Sequence, residues 1–215
     1  MDFVNLNFIY IIRMNCFKQI PNEILEIIIK KCVGKEILDY NKKYYNKDFS
    51  CISEVCKEWN YTIKNNVEKI RFSEKKRISP LILAKTLSVY KNITNLYFDN
   101  CKWLSNDHMP YLGIPTKLNL ISFDFTRLET LAFMPRNNNV KYLFTRGGCI
   151  RAGFNQFQGV EFINAASSSI YDLYVLKECA LLKTLILSFT YVTNLNPVFL
   201  YCKQIEKIDT SNCIH

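Results

Sequence analysis

Residues 202–213 read Cys-Lys-Gln-Ile-Glu-Lys-Ile-Asp-Thr-Ser-Asn-Cys, and the pattern in this stretch decides the fold. Ile205-x-x-Ile208-x-Thr210 follows the form apolar-x-x-apolar-x-apolar, and Cys213 closes it at the ninth position. Earlier copies begin at Ile93, Leu118, Val140, Val160 and Leu182, with an atypical first copy at Val67. The steps from Ile93 onward are 25, 22, 20, 22 and 23 residues. A period in the twenties predicts a solenoid whose stacked repeats bury one continuous core.

Each copy predicts one short strand of a curved parallel sheet. Alternation along a strand should turn these side chains inward: Leu96, Phe98, Ile121, Phe123, Leu143, Ile163, Leu185, Leu187 and Ile208. Apolar residues at helical spacing, between Ile170 and Cys179 and between Leu195 and Cys202, predict helices that connect the strands. A competing register at Leu128 is rejected because its steps would be 35 and 12 residues. An ordinary α/β domain remains the alternative.

The third and fifth positions of each strand should face outward on the concave side. Several of these positions hold aromatic or aliphatic side chains, and exposed apolar patches mark interaction sites. The predicted target-binding residues are Tyr97, Leu120, Tyr142, Phe144, Phe162 and Ile186. An equally weighted alternative is that a terminal segment or neighbouring side chains cover some of them.

Two helical patterns precede the repeats. Residues 20–28 read Ile-Pro-Asn-Glu-Ile-Leu-Glu-Ile-Ile, and residues 55–60 read Val-Cys-Lys-Glu-Trp-Asn. Pro21 suits the first turn of a helix, so the first helix is predicted from Pro21 to about Cys32. The second is predicted over 48–63, and the polar segment 33–47 between them is expected to be a surface loop.

Together these two stretches resemble an F-box, the helical module by which substrate receptors of SCF-type ubiquitin ligases dock on a Skp-family adaptor. The repeats resemble the cysteine-containing leucine-rich repeats found behind many F-boxes. The resemblance implies an α/β chain: an N-terminal extension (1–16), a small helical F-box-like module (17–66), and a leucine-rich-repeat solenoid (67–215). Its parallel sheet would line the concave face and its helices the convex face. The residues that would bind the adaptor are Ile20, Pro21, Ile24, Leu25, Ile28, Val55, Cys56 and Trp59.

The implied function is that of a non-catalytic substrate receptor. It would contact the adaptor and, through it, a cullin, and would hold an unidentified protein target on the repeats. The alternative is a leucine-rich-repeat interaction scaffold without any ligase association. The solenoid pattern stops at His215 without a polar cap, which favours a fragment or an end covered by a partner or second copy. Either Met1 or Met14 could be the start.

Composition excludes several other classes of function. The net charge of +9 is spread along the chain, and its densest run, Lys75-Lys76-Arg77, is more typical of a solvated corner than of a nucleic-acid site. No stretch suggests a membrane span or a signal peptide. Nine cysteines without a Cys-x-x-Cys pair, and only two histidines, argue against a metal site, and no cofactor or catalytic motif is found. A reducing cytoplasm or nucleus is the expected compartment.

Overall fold

The computed structural model describes residues 38–39, 67–72, 74, 77–113 and 115–213. The two predicted helices of the F-box-like module, and all eight predicted adaptor-binding residues, lie outside the described residues. Nearly all of the described residues belong to the repeat array.

The repeat positions form one continuous parallel sheet. Its eight strands follow chain order. They are β1 Leu38–Asp39, β2 Lys69–Arg71, β3 Asn95–Tyr97, β4 Leu120–Ser122, β5 Tyr142–Phe144, β6 Phe162–Asn164, β7 Thr184–Ile186 and β8 Lys207–Asp209. The fourth residues of the repeats pair in register from Ile70 and Leu96 through to Leu185 and Ile208. The predicted strands and their register are confirmed, including the atypical first copy at Val67.

Strand β1 lies inside the segment 33–47, which the sequence predicts to be a surface loop. Leu38 pairs with Ile70 and Asp39 with Arg71, in parallel. The loop prediction is wrong at these two residues. β1 pairs with the edge of β2 that faces away from β3, an edge that without β1 would be open to another strand.

The connections opposite the sheet are shorter than the predicted helices. The described ranges hold two α-helices, α1 Pro80–Val89 and α2 Asn196–Tyr201, and three 3-10 helices, Asn106–Tyr111, Phe154–Gln156 and Leu173–Leu176. The repeat that starts at Leu118 has neither kind, and its Thr130 instead bridges Ala152 of the next repeat. The two steps that hold α-helices, 67 to 93 and 182 to 205, are longer than the steps of 20 and 22 residues, which hold a 3-10 helix or none.

One left-handed residue follows each of the last six strands. These residues are Asn100, Phe125, Gly147, Ser167, Phe189 and Asn212, with φ between 55° and 59°. The turn aims their N–H groups at the next repeat: Asn100 donates to Asp124 O at 2.8 Å and Phe125 to Arg146 O at 2.7 Å. The hydrogen-bond ladder thus continues beyond the three-residue strands and holds adjacent repeats in register.

The core runs under the whole sheet. The residues predicted to point inward are fully buried except Ile208, which is half-buried on the last strand. At the sixth position of the first three repeats, Phe72 stacks on Phe98 at 4.8 Å and Phe98 on Phe123 at 5.6 Å between ring centroids. Aromatic stacking of this kind adds to the free energy gained by burial alone.

Buried cysteines join successive repeats. The Sγ of Cys101 lies 3.5 Å from Phe72 O, that of Cys179 3.8 Å from Phe154 O, and that of Cys202 3.9 Å from Leu176 O. Burial raises the pKa of Cys101 and Cys179 to about 12 and that of Cys202 to about 11. A thiol held protonated in this way is a weak nucleophile, so these three side chains are structural.

Candidate protein-binding face

The side of the sheet away from the core is formed by the third and fifth residues of each repeat, and we call it the open face. It corresponds to the concave side of the sequence prediction. All six predicted target-binding residues are at least partly exposed there. Five of them stand on the adjacent strands β4 to β7, and Tyr97 stands apart on β3.

Three rings meet at the centre of the open face. Tyr142 lies 6.2 Å from Phe162, and Phe144 lies 5.4 Å from Phe162, between ring centroids. Tyr142 is 42% exposed, while the two phenylalanines are half-buried because the rings cover one another. We call Tyr142, Phe144 and Phe162 the aromatic cluster.

Two aliphatic side chains extend the cluster along the sheet. Leu120 pairs with Tyr142 in the strand register on one side, and Ile186 pairs with Asn164 on the other. Both are half-buried. The apolar part of the open face therefore spans four neighbouring strands, which corresponds to roughly 15 Å at ~4.8 Å per strand interval.

Tyr97 belongs to a different, polar environment. The guanidinium carbon of Arg71 lies 5.0 Å from the centre of its ring, a cation–π arrangement, and Asn95 donates to its hydroxyl at 3.2 Å. Ser122 occupies the equivalent position on β4, between Tyr97 and Phe144. The structure thus does not bring Tyr97 together with the aromatic cluster.

A row of alternating charges borders the cluster at the second position of the repeats. Glu161 accepts from Lys141 at 2.9 Å with one oxygen and from Lys183 at 2.8 Å with the other. The hydrogen bonds from Lys183 and then Lys141 lower the pKa of Glu161 to about 2. The hydrogen bond to Glu161 is also the main cause that raises the pKa of Lys183.

The opposite border carries a second set of paired charges. Arg146 donates to the Oδ2 of Asp124 from Nη2 at 2.6 Å and from Nε at 2.7 Å, and its backbone N–H donates to Oδ1 at 2.8 Å. The Asp124 side chain is only 4% exposed while that of Arg146 is 49% exposed, so water is kept from the carboxylate but not from the guanidinium. Charge-assisted hydrogen bonds of this kind are stronger than those between neutral groups.

Next to that pair, Asp99 accepts a short hydrogen bond from the Ser122 hydroxyl and lies 3.9 Å from Arg71 Nη2. Burial is the main cause that raises the pKa of Asp99, against the opposing effect of the Ser122 hydrogen bond. Sequence reasoning missed these carboxylates. The signal that could have found them is Asp99 and Asp124 at the same seventh position of successive repeats.

The part of the chain that the structure describes holds few other side chains that could act in catalysis or bind a metal. His108 is buried, with Nδ1 2.9 Å from Ser105 Oγ and Nε2 3.0 Å from Ile78 O, so both ring nitrogens have structural partners. In these ranges no three or more His, Cys, Asp or Glu side chains gather as metal ligands would, and no helix is long and apolar enough to cross a membrane.

Comparison with known proteins supports the fold. Neither a protein-family model nor a curated protein matches the chain. Among solved structures, an internalin C2 from Listeria monocytogenes is similar with a TM-score of 0.54 at 12% identity, covering 70% of this chain. The match covers 65% of that internalin's own length. A second internalin of the same bacterium, InlF, gives a TM-score of 0.45 at 13% identity over 70% of this chain and 50% of its own.

The array has the leucine-rich-repeat fold. Internalins are leucine-rich-repeat proteins, and the observed parallel sheet with one short strand per repeat agrees with that architecture. At such low identity the likeness extends to the fold alone.

Proposed function

We propose that the chain is the substrate-recognition subunit of an SCF-type ubiquitin ligase. Its F-box-like module would dock on a Skp-family adaptor and, through it, on a cullin in the cytoplasm or nucleus. Its leucine-rich repeats would hold a protein target, and the chain itself would catalyse no step. Two observations support the proposal: the ordered Pro21-x-Glu23 and Val55-Cys56-Lys57-x-Trp59 motifs, and the leucine-rich-repeat array that follows them.

The observation that carries target binding is the aromatic cluster. Large apolar side chains left in water on a sheet face mark interaction sites, and Tyr and Phe rings supply contact area with little conformational freedom to lose. Phe162 packs against both Tyr142 and Phe144, so a target would meet an ordered surface. A preorganised surface costs less entropy to bind than a mobile one.

The competing function is a leucine-rich-repeat scaffold that binds a protein without any ligase link. It shares the open face with the first proposal and differs only at the N-terminal module. The decisive experiment therefore concerns the adaptor rather than the target.

The adaptor test is a pull-down of full-length protein with a purified Skp-family adaptor. Changing Ile24 and Leu25 together to Lys should reduce adaptor binding by about a hundredfold, because two charges would enter an apolar interface. The matched control is Leu81→Lys with Ile82→Lys on α1, an adjacent apolar pair whose members are 75% and 58% exposed. The control should bind the adaptor as the wild type does.

If the wild type and the Ile24/Leu25 variant bind the adaptor equally well, the interface lies elsewhere on the chain. Absence of binding by the wild type would refute the ligase proposal and leave the scaffold function. Changing Tyr142 and Phe162 to Ser tests the other partner: target capture should be lost while adaptor binding stays unchanged and the melting temperature falls by only about 5 °C or less.

A further inference from the structure

The charged side chains that border the aromatic cluster already have partners in the free protein. On one side Glu161 lies between Lys141 and Lys183, and on the other Asp124 holds Arg146 through three hydrogen bonds. A target that recruited one of these cations would first have to break its existing pair. Side chains already held in ion pairs are poor sources of binding energy for a new charged partner.

The outer ends of the open face carry its few charges. At one end Lys69 and Arg71 share β2, with Arg71 beside Asp99, and at the other Lys207 and Asp209 share β8 with opposite charges. The third and fifth positions thus carry only +2 of the chain's net charge of +9, and those of β3 to β7 carry no charge at all.

The lysines contribute apolar surface as well. Their ammonium groups are drawn to Glu161, and the Lys141 and Lys183 side chains remain 53% and 41% exposed. Long cationic side chains offer their hydrocarbon stems to apolar neighbours while the charged ends stay in water or in ion pairs. We therefore expect their stems to add to the apolar contact area at this border of the cluster.

Resting on the proposed use of the open face for target binding, we propose that this face selects a neutral protein segment with two or more neighbouring large apolar side chains. These side chains pack against Tyr142, Phe144 and Phe162, flanked by Leu120 and Ile186. No charged residue of the target is required at the contact. Recognition by apolar contact predicts an affinity that depends little on salt, unlike that of a nucleic acid or an acidic peptide.

The test selects a phage-displayed library of random 12-residue peptides on the full-length protein, followed by measurement of the enriched peptides by fluorescence anisotropy. Enriched peptides should carry paired Leu, Ile, Met, Phe or Trp residues with no bias toward Asp, Glu, Lys or Arg. Their Kd should change by less than about twofold between 50 and 500 mM NaCl. Labelled oligouridine RNA should neither bind with comparable affinity nor displace them.

The Tyr142→Ser/Phe162→Ser variant should weaken these peptides by about thirtyfold, the loss expected for interface anchors. Tyr174→Ser is the matched control, because Tyr174 is also an exposed ring that contacts another ring, Tyr201, but lies on the connection opposite the sheet. It should bind as the wild type does. Melting curves confirm that both variants fold.

The outcomes separate this inference from the proposed function. Peptides that are charged, or that lose affinity steeply with salt, overturn the neutral-segment inference even if they need Tyr142 and Phe162. Peptides unaffected by the double substitution, or no enrichment at all, overturn the assignment of the open face as well. Stronger peptide binding after removal of residues 1–13 would identify the apolar N-terminal segment as the occupant instead. None of these results changes the adaptor pull-down.

Discussion

The phenylalanine rings of the strands face opposite sides of the sheet in the two halves of the array. In the first half, Phe72, Phe98 and Phe123 occupy the sixth repeat position and stack inside the core. In the next two repeats that position holds Thr145 and Ala165, and the rings stand at the third and fifth positions on the open face. A shift of one residue along a strand moves a ring from the core to water. The position in the repeat, rather than the residue type, decides whether a ring stabilises the fold or is free to bind.

The second half fills its core with rings from a connection rather than from the strands. Phe154 and Phe157, both fully buried, lie on the connection that follows Thr145. Protein interiors pack to a nearly constant density, so small side chains on the strands must be matched by large ones elsewhere. The connection also approaches the previous repeat closely at Gly153.

The largest expected difference between the halves is in stability. Phe98→Ala should lower the free energy of unfolding by about 3–5 kcal/mol, because it opens a cavity in a ring stack. Phe162→Ala should cost about 1 kcal/mol or less, because its ring is only half-buried. Urea denaturation followed by circular dichroism measures both. Equal losses would mean that the aromatic cluster is part of the core.

A smaller effect is expected from glycines on the two connections. A Cβ at Gly153, which has φ of +89°, would lie 2.2 Å from Ala132 N, whereas a Cβ at Gly113 would meet nothing within 4 Å. Gly153→Ala should therefore cost about 1–3 kcal/mol, since strain is added to a backbone clash. Gly113→Ala should stay within about 0.5 kcal/mol. Thermal unfolding measures both variants. An unchanged stability of Gly153→Ala would show that the second half is not tightly packed at this position.

A substitution in one of the left-handed turns should increase the stability of the protein rather than decrease it. Asn100 takes this conformation in the first half at little cost, but Phe189 adopts it in the second half with a bulky, 59% exposed side chain. Phe189→Asn should raise the free energy of unfolding by about 1 kcal/mol through relief of strain. The reciprocal change, Asn100→Phe, should lower it. A fall in melting temperature for Phe189→Asn would show that the ring makes a contact worth more than the strain.

The smallest expected effect is on the stability of the protein at acidic pH. The two lysines hold the pKa of Glu161 at about 2, below its ordinary value of 4.5. A lowered pKa means that the ion pairs stabilise the fold above pH 4.5 and that this contribution is lost as the pH falls toward 2. The melting temperature of Glu161→Gln should therefore decline less steeply than that of the wild type across this window. Parallel curves would show that the exposed pairs contribute nothing.

Most of the array could be predicted, because its signal is local and repeated. The strands, their register and the burial of Leu96 or Leu185 follow from an alternation that recurs every 20 to 25 residues. The strand at Leu38–Asp39 could not be predicted from its own sequence, because it forms by pairing with the edge of β2. Of the two helices predicted on the connections, the one between Leu195 and Cys202 is the α-helix α2, and the one between Ile170 and Cys179 is a shorter 3-10 helix. The helical module around Pro21 and Trp59 remains a prediction.

By itself, the sequence determined the repeat, the side of the sheet that each residue faces, and the positions at which rings would be exposed. These follow from a two-residue alternation and a fixed step. Only the tertiary structure decided which exposed rings meet and which charges cancel. Tyr97 joins Arg71 rather than the aromatic cluster, and Arg146 binds an aspartate 22 residues earlier in the chain. Such partners lie on neighbouring repeats, so their contact depends on how each repeat packs against the next.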